Sequence, residues 1–199
     1  MNMFSKNNYQ VIRNLIDENQ ASLLYDYLSN KYTLRKVLLE EKLIEPKNDF
    51  FGWIGDHQVP ISYCTYGDLL FDTLMVRFKD KLEKITKQKL LPQNSYARIY
   101  GTGASLKKHK DRPNCKLSVT LNLGGDPYPI YFLIKRKEVK VNLKPGDGIV
   151  YKGDKLIHWR EKFKGSLCGQ VFLHYNYSKE KIIYDGRRFI GMLKNKMIK

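Results

Sequence analysis

The sequence predicts a mainly β chain with flanking helices, an α+β body in which a β sandwich carries helices on its outside. From Leu90 onward, short runs rich in β-branched and aromatic residues alternate with turn residues, which is how a sandwich or barrel reads. After Asp68, the residues Leu70, Leu74, Phe78, Leu82 and Ile85 recur at near-3.6 spacing opposite Arg77, Lys79, Lys81 and Lys84. That is a helix with one apolar face to lay on a sheet. At 199 residues, a single core is large enough to stand without metal or disulfide staples.

Taken in order, residues 9–16 have strand character, and Asp17-Glu18-Asn19-Gln20 has capping-box spacing, so a helix follows to about Asn30. Residues 34–43 are helix-like. The glycine-punctuated aromatic run Pro46-Lys47-Asn48-Asp49-Phe50-Phe51-Gly52-Trp53-Ile54-Gly55 reads as a long loop or lid. The helix capped by Asp68 comes next. Strands are then expected at 95–100, 116–123, 130–135, 139–143, 149–152 and 167–177, with turns at Gly101-Thr102-Gly103, Gly124-Gly125-Asp126-Pro127 and Pro145-Gly146-Asp147-Gly148. A basic helix is expected at 189–197. The chain therefore divides into a helical and lid region at 1–89, a β core at 90–177 and a basic tail at 178–199, all in one domain.

Composition narrows the function. Hydrophobic residues make up 42% and aromatics 13%, and the mean hydropathy is −0.50: enough apolar area for a core, too little to enter a bilayer. No apolar run reaches membrane-spanning length and the first ten residues lack a signal peptide's apolar stretch. The three cysteines, Cys64, Cys115 and Cys168, form no CxxC pair and suit a reducing compartment, Cys115 and Cys168 reading as buried, inert thiols. A cytoplasmic protein without membrane partners is the expectation. The net charge is +16; residues 1–60 are nearly balanced, with seven basic and eight acidic groups, so the rest carries +17. Acidic partners are favoured, including weak, non-specific nucleic-acid binding. No helix-turn-helix, RNP or arginine-rich signature accompanies the charge, which is equally that of a soluble surface.

The chemistry lies in His109-Lys110-Asp111. Two residues apart on an extended backbone, the imidazole and the carboxylate point to the same side. His158, 47 positions beyond Asp111 and just past a β run, is the third candidate ligand. Two imidazoles and a carboxylate on one face of a metal leave the opposite positions open, the arrangement of non-haem Fe(II) oxygenases. The other two histidines read as structural: His57 as an exposed lid residue, His174 as a hydrogen-bonded core residue. Trp53 reads as a core aromatic and Trp159 as packing against the metal ligand beside it. Arg112 either fixes the Asp111 carboxylate or is a surface charge. A site closed by a fourth ligand, for which only His174 is placed, would instead hold a structural ion in a non-enzymatic sandwich that grips an acidic partner.

Residues 96–177 resemble the catalytic core of the 2-oxoglutarate and Fe(II)-dependent dioxygenases of the prolyl-hydroxylase-like group. The resemblance is carried, in order, by Tyr96-Ala-Arg-Ile-Tyr100, His109-Lys-Asp-Arg-Pro113, Ser118-Val-Thr-Leu-Asn-Leu123, Leu143-Lys-Pro-Gly-Asp147, His158-Trp-Arg160 and Gln170-Val-Phe-Leu-His-Tyr175. It implies a double-stranded β-helix, or jelly roll, with the metal in its mouth, and an enzyme using Fe(II), 2-oxoglutarate and O2 to hydroxylate an aliphatic carbon. A prolyl or other peptidyl side chain is the implied substrate, ahead of a small metabolite and, third, a methylated nucleic acid base. Such enzymes place a cation about ten residues after the distal histidine. This chain departs from that: Ser166, Leu167, Cys168, Gly169 and Gln170 stand there. Arg160 is the candidate for the far carboxylate of the co-substrate, its planar fork suiting a bidentate contact. Tyr100, Arg98 and Gln170 are candidates for the remaining hydrogen bonds.

Overall fold

The computed structural model describes residues 3–178; the basic helix expected at 189–197 lies outside them. Two antiparallel sheets form the body. The elements run α1 (Met3–Asn7), β1 (Tyr9–Ile12), α2 (Glu18–Glu40), β2 (Trp53–Ile54), β3 (Tyr63–Tyr66), α3 (Leu69–Thr86), β4 (Leu90–Gly101), β5 (Leu106–His109), β6 (Leu117–Gly125), β7 (Ile130–Ile134), β8 (Lys137–Val141), β9 (Gly148–Tyr151), β10 (His158–Arg160) and β11 (Leu167–Tyr177). The major sheet has seven strands in the order β1-β9-β6-β11-β4-β3-β2, and the minor sheet four in the order β5-β10-β7-β8.

Strand alternation in the major sheet sorts apolar from polar. Leu117, Val119, Leu121 and Leu123 of β6, Ala97 and Ile99 of β4, and Val171, Leu173 and Tyr175 of β11 join one buried cluster with Leu24 and Leu28 of α2 and Phe71, Met75, Phe78 and Leu82 of α3. Because successive side chains point to opposite faces, the intervening Arg98, Tyr100, Ser118, Asn122, Gln170 and His174 lie on the other face. Register then brings them together, with Gln170 opposite Arg98 and His174 opposite Ser118. The two long helices α2 and α3 start as the sequence predicts, Asp17 closing a complete capping box and Asp68 accepting from the Leu70 amide, whereas α1 is not predicted. These caps satisfy N–H groups that the first turn leaves unpaired.

Three expectations are corrected. The strand expected over residues 9–16 stops at Ile12. The helix expected to stop near Asn30 continues unbroken to Glu40, because residues 30–33 hold neither Gly nor Pro and Arg35, only 4% exposed, is tied to the segment beyond by donating to the Gly52 and Pro46 carbonyls. The loop expected between the helices is partly sheet: β3 pairs along β4 and β2 pairs with β3. Its four residues are too few to show an alternation of their own. Among the described residues no helix is long and apolar enough to cross a membrane.

Candidate active site

The minor sheet brings the two histidines together. β5 and β10 are antiparallel neighbours with His158 directly opposite His109, and the ring centroids are 4.2 Å apart. Asp111 follows β5, its amide donating to the Gly153 carbonyl at 2.9 Å. Its Oδ1 lies 3.8 Å from His109 Nε2 and 3.5 Å from His158 Nε2. Among the described residues these three are the set able to hold a metal ion, with their ligand atoms all within 4.8 Å of one another.

Each ring is oriented by its far nitrogen. His109 Nδ1 lies 2.8 Å from the Lys107 carbonyl and His158 Nδ1 lies 3.0 Å from that of Leu156. A carbonyl only accepts, so both rings carry the proton on Nδ1 and offer the Nε2 lone pair to an ion. Burial, and then the neighbouring His158, push the His109 pKa down, which favours the neutral, metal-binding form. For Asp111, burial pushes the carboxyl up, but the contacts with His158, the proximity of His174 and the Ser118 hydroxyl outweigh it and hold it well below the usual carboxylate range. Two neutral nitrogens and one ionised oxygen, with no thiolate, form a donor set suited to Fe(II).

Trp159 does not pack against the ligand beside it, which corrects the sequence expectation. Strand alternation turns it away, to stack on Tyr131 at 5.6 Å under the Lys108 ammonium at 4.2 Å. His158 instead rests against Tyr151 at 4.9 Å and Phe132 at 5.9 Å. Trp53 is only half-buried and meets Tyr96 edge-on at 6.4 Å. Arg112 reaches Tyr66 Oη at 3.5 Å. All three cysteines are free and buried.

A cavity of about 60 Å³ is lined by the three candidate ligands together with Arg98, Arg160 and His174. Outside it, a second space of about 250 Å³ is bordered by His57, Gln58 and Lys107 and shares His109 with the first. Arg160 is 2% exposed. Its guanidinium sits over the rings of Tyr128 and Tyr100, at 4.9 and 5.6 Å, and donates to the Tyr128 carbonyl and Gln170 Oε1. Its Nε has no partner, and no ion pair forms to it among the described residues. Arg98, 3% exposed, also lies in the cavity but is paired with Asp56 and donates to Gln58 Oε1 at 3.0 Å and Tyr100 Oη at 3.4 Å. Asp56 accepts further bonds from Tyr96 Oη at 2.6 Å and from the Gln58 and Val59 amides. This fastens the segment after Gly55 over the cavity. Five of the seven residues singled out from the sequence, His109, Asp111, His158, Arg98 and Arg160, line this cavity; Tyr100 and Gln170 do not line it but contact Arg98 and Arg160.

Four participants were not singled out: Asp56, Gln58, Gly153 and Ser118. Only Ser118 left a signal, as a polar residue in phase with Thr120 and Asn122 in an otherwise apolar strand.

No family model and no curated protein matches the chain. Solved structures do. A prolyl-4-hydroxylase from Pseudomonas putida superposes with a TM-score of 0.65 at 11% identity, covering 87% of this chain and 95% of that one. AviO1 from Streptomyces viridochromogenes gives 0.67 at 12%, covering 91% and 95%. HygX from Streptomyces hygroscopicus, solved with nickel and 2-oxoglutarate bound, gives 0.65 at 11%, covering 89% and 85%. At such identities the likeness is one of fold. Two antiparallel sheets enclosing a mouth that holds His109, Asp111 and His158 make this chain a double-stranded β-helix similar in fold to those proteins.

Proposed function

We propose that the protein is a non-haem Fe(II)- and 2-oxoglutarate-dependent dioxygenase that hydroxylates an aliphatic carbon, with a prolyl or other peptidyl side chain as the substrate. The observation that carries this reading is the pairing of an open two-histidine, one-carboxylate set with a buried cation that has no carboxylate partner among the described residues. His109, Asp111 and His158 would hold the iron, which when bound couples oxidative decarboxylation of 2-oxoglutarate by O2 to attack on an unactivated C–H bond. Arg160 would take the far carboxylate of 2-oxoglutarate. A buried, uncompensated guanidinium is costly, and a carboxylate would relieve that cost with charge-assisted bonds, Nε included. Gln170 orients the guanidinium through Oε1, and the Tyr100 ring flanks it. Arg98, already neutralised by Asp56, serves the wall and the overlying segment. Tyr96 and Phe172, both lining the cavity, offer apolar area to a pyrrolidine ring, and one structurally similar protein is a prolyl-4-hydroxylase.

The test is anaerobic titration with Mn(II) as an inert substitute, followed by succinate release in the presence of Fe(II), 2-oxoglutarate and candidate substrates. One metal per chain is expected, lost in His109→Ala, Asp111→Ala and His158→Ala, with succinate formation stimulated by proline-containing peptides. Unchanged stoichiometry in all three variants would remove the site. Stimulation only by a methylated oligonucleotide, with formaldehyde released, would move the substrate to nucleic acid.

A further inference from the structure

We propose that Ser118 and His174 are positioning residues that commit one oxygen of Asp111 to the protein and leave the other for the metal, in a space that exists because residue 153 is glycine. This rests on the reading of His109, Asp111 and His158 as metal ligands.

The hydrogen-bond directions follow from proton counting. Ser118 Oγ lies 2.5 Å from Asp111 Oδ2 and 2.9 Å from His174 Nδ1. An ionised carboxylate only accepts and a hydroxyl has one proton, so Ser118 donates to Asp111. The contact with His174 then takes its proton from the ring, which is the Nδ1–H tautomer. The chain runs from His174 through Ser118 to Asp111, each bond polarising the next and ending on a charge. It is built into the sheet, since Ser118 and His174 face each other across β6 and β11.

Gly153 is an independent observation. A Cβ there would lie 2.2 Å from Asp111 Oδ2 and 2.3 Å from Ser118 Oγ, so any side chain would collide with the bonded pair. Its φ is not in the left-handed region; the glycine is needed for space. The Gly153 carbonyl also accepts from the Asp111 amide, so this one residue bounds Asp111 at both backbone and side chain.

The two carboxylate oxygens are thereby made unequal. Oδ1 faces both Nε2 atoms while Oδ2 is engaged by Ser118. One-oxygen ligation by Asp111 would keep the protein to three ligand atoms on the ion. A carboxylate free to bind through both oxygens would add a fourth and take a position that a bidentate co-substrate needs.

Metal binding tests this without turnover. Mn(II) affinity is read from the free-ion EPR signal and coordination from the visible band of Co(II), with near-UV circular dichroism as the check on folding. Ser118→Ala is expected to weaken Mn(II) roughly 10–100-fold and change the Co(II) band, and Gly153→Ala to weaken it at least as much. His174→Asn places an amide N–H near Nδ1 and should retain near-wild-type affinity. His174→Leu, which packs well but donates nothing, should lose affinity while melting no lower than His174→Asn. That inversion of affinity and stability separates positioning from support. Wild-type Mn(II) affinity in folded Ser118→Ala and His174→Leu overturns the relay, as do equal losses in the two His174 variants. Failure of the wild-type chain itself to bind Mn(II) overturns the ligand reading, and the relay with it.

Discussion

Arg98 projects from the major sheet and Arg160 from the minor sheet into the same cavity, both almost fully buried, yet their surroundings differ in one respect. Arg98 has a carboxylate, Asp56, delivered by the segment that crosses the mouth. Arg160 has a carbonyl, an amide oxygen and two aromatic faces, all neutral. The first is a closed ion pair that holds two parts of the chain together; the second, under the proposed function, is half of a pair whose other half would come from the co-substrate. A cavity can therefore hold two identical side chains with different work, and what separates them is where the compensating charge resides.

The largest expected effect tests that division at Arg160. Arg160→Ala should raise the KM for 2-oxoglutarate by two to three orders of magnitude, the scale of truncating one partner of a buried charge pair. Arg160→Lys should recover part of it, because a point charge replaces a fork. Arg98→Ala should move that KM only a few-fold and instead lower stability by about 3 kcal/mol, since Asp56 is left desolvated without its cation. Steady-state kinetics alongside thermal melting distinguish the two, and a larger KM effect at Arg98 would reverse the assignment. Asp56→Asn should cost less than Arg98→Ala, because the amide keeps hydrogen bonds to the same neighbours while losing the charge. Its expected signature is faster proteolysis between residues 46 and 62, and protection equal to wild type would show that the ion pair does not fasten that segment.

The smallest effect concerns a third basic group on the wall of Arg98, one kept uncharged. Burial pushes the His174 pKa down to about 4, against about 6.5 for a free imidazole. As pH falls through that window the unfolded chain takes up the proton before the folded one does. Metal-free protein should therefore lose roughly 2–3 kcal/mol of stability between about pH 6.5 and 4. Asp111, whose depressed carboxyl contributes stability above the unfolded value of about 3.9, adds a further loss only below that. Denaturant melts across the range should show the upper limb in wild type and flatten it in His174→Asn; an unchanged limb would assign it to other groups.

The first two candidate ligands were legible because their relation is short. His109 and Asp111 share a side of one extended segment, so period-two alternation orders that pair without reference to the rest of the chain, whereas His158 and Arg160 stand out through the family resemblance, and the three-residue strand that carries them is not predicted. The same alternation in β6 separated the leucines facing the helices from Ser118, Thr120 and Asn122. The helix starts were equally local, since a cap is satisfied within its own first turn.

What remained to the tertiary structure is every relation that crosses the sheets. Ser118 meets His174 56 residues away and Asp56 meets Arg98 42 residues away. Each pairing depends on a strand register or a loop path, and a slip of one residue would turn every side chain on a strand to the opposite face. Gly153 carries no local mark of its role, because the atoms it makes room for belong to residues 111 and 118. Residue type and spacing by themselves pointed to the candidate groups and to the shared side of the pairs His109 and Asp111, Arg98 and Tyr100, and Gln170 and His174. Only the folded sheets decided which charges are compensated, which oxygen of Asp111 is free and which arginine stays unpaired, because hydrogen bonds and ion pairs depend on distances of a few ångströms between segments far apart in the chain.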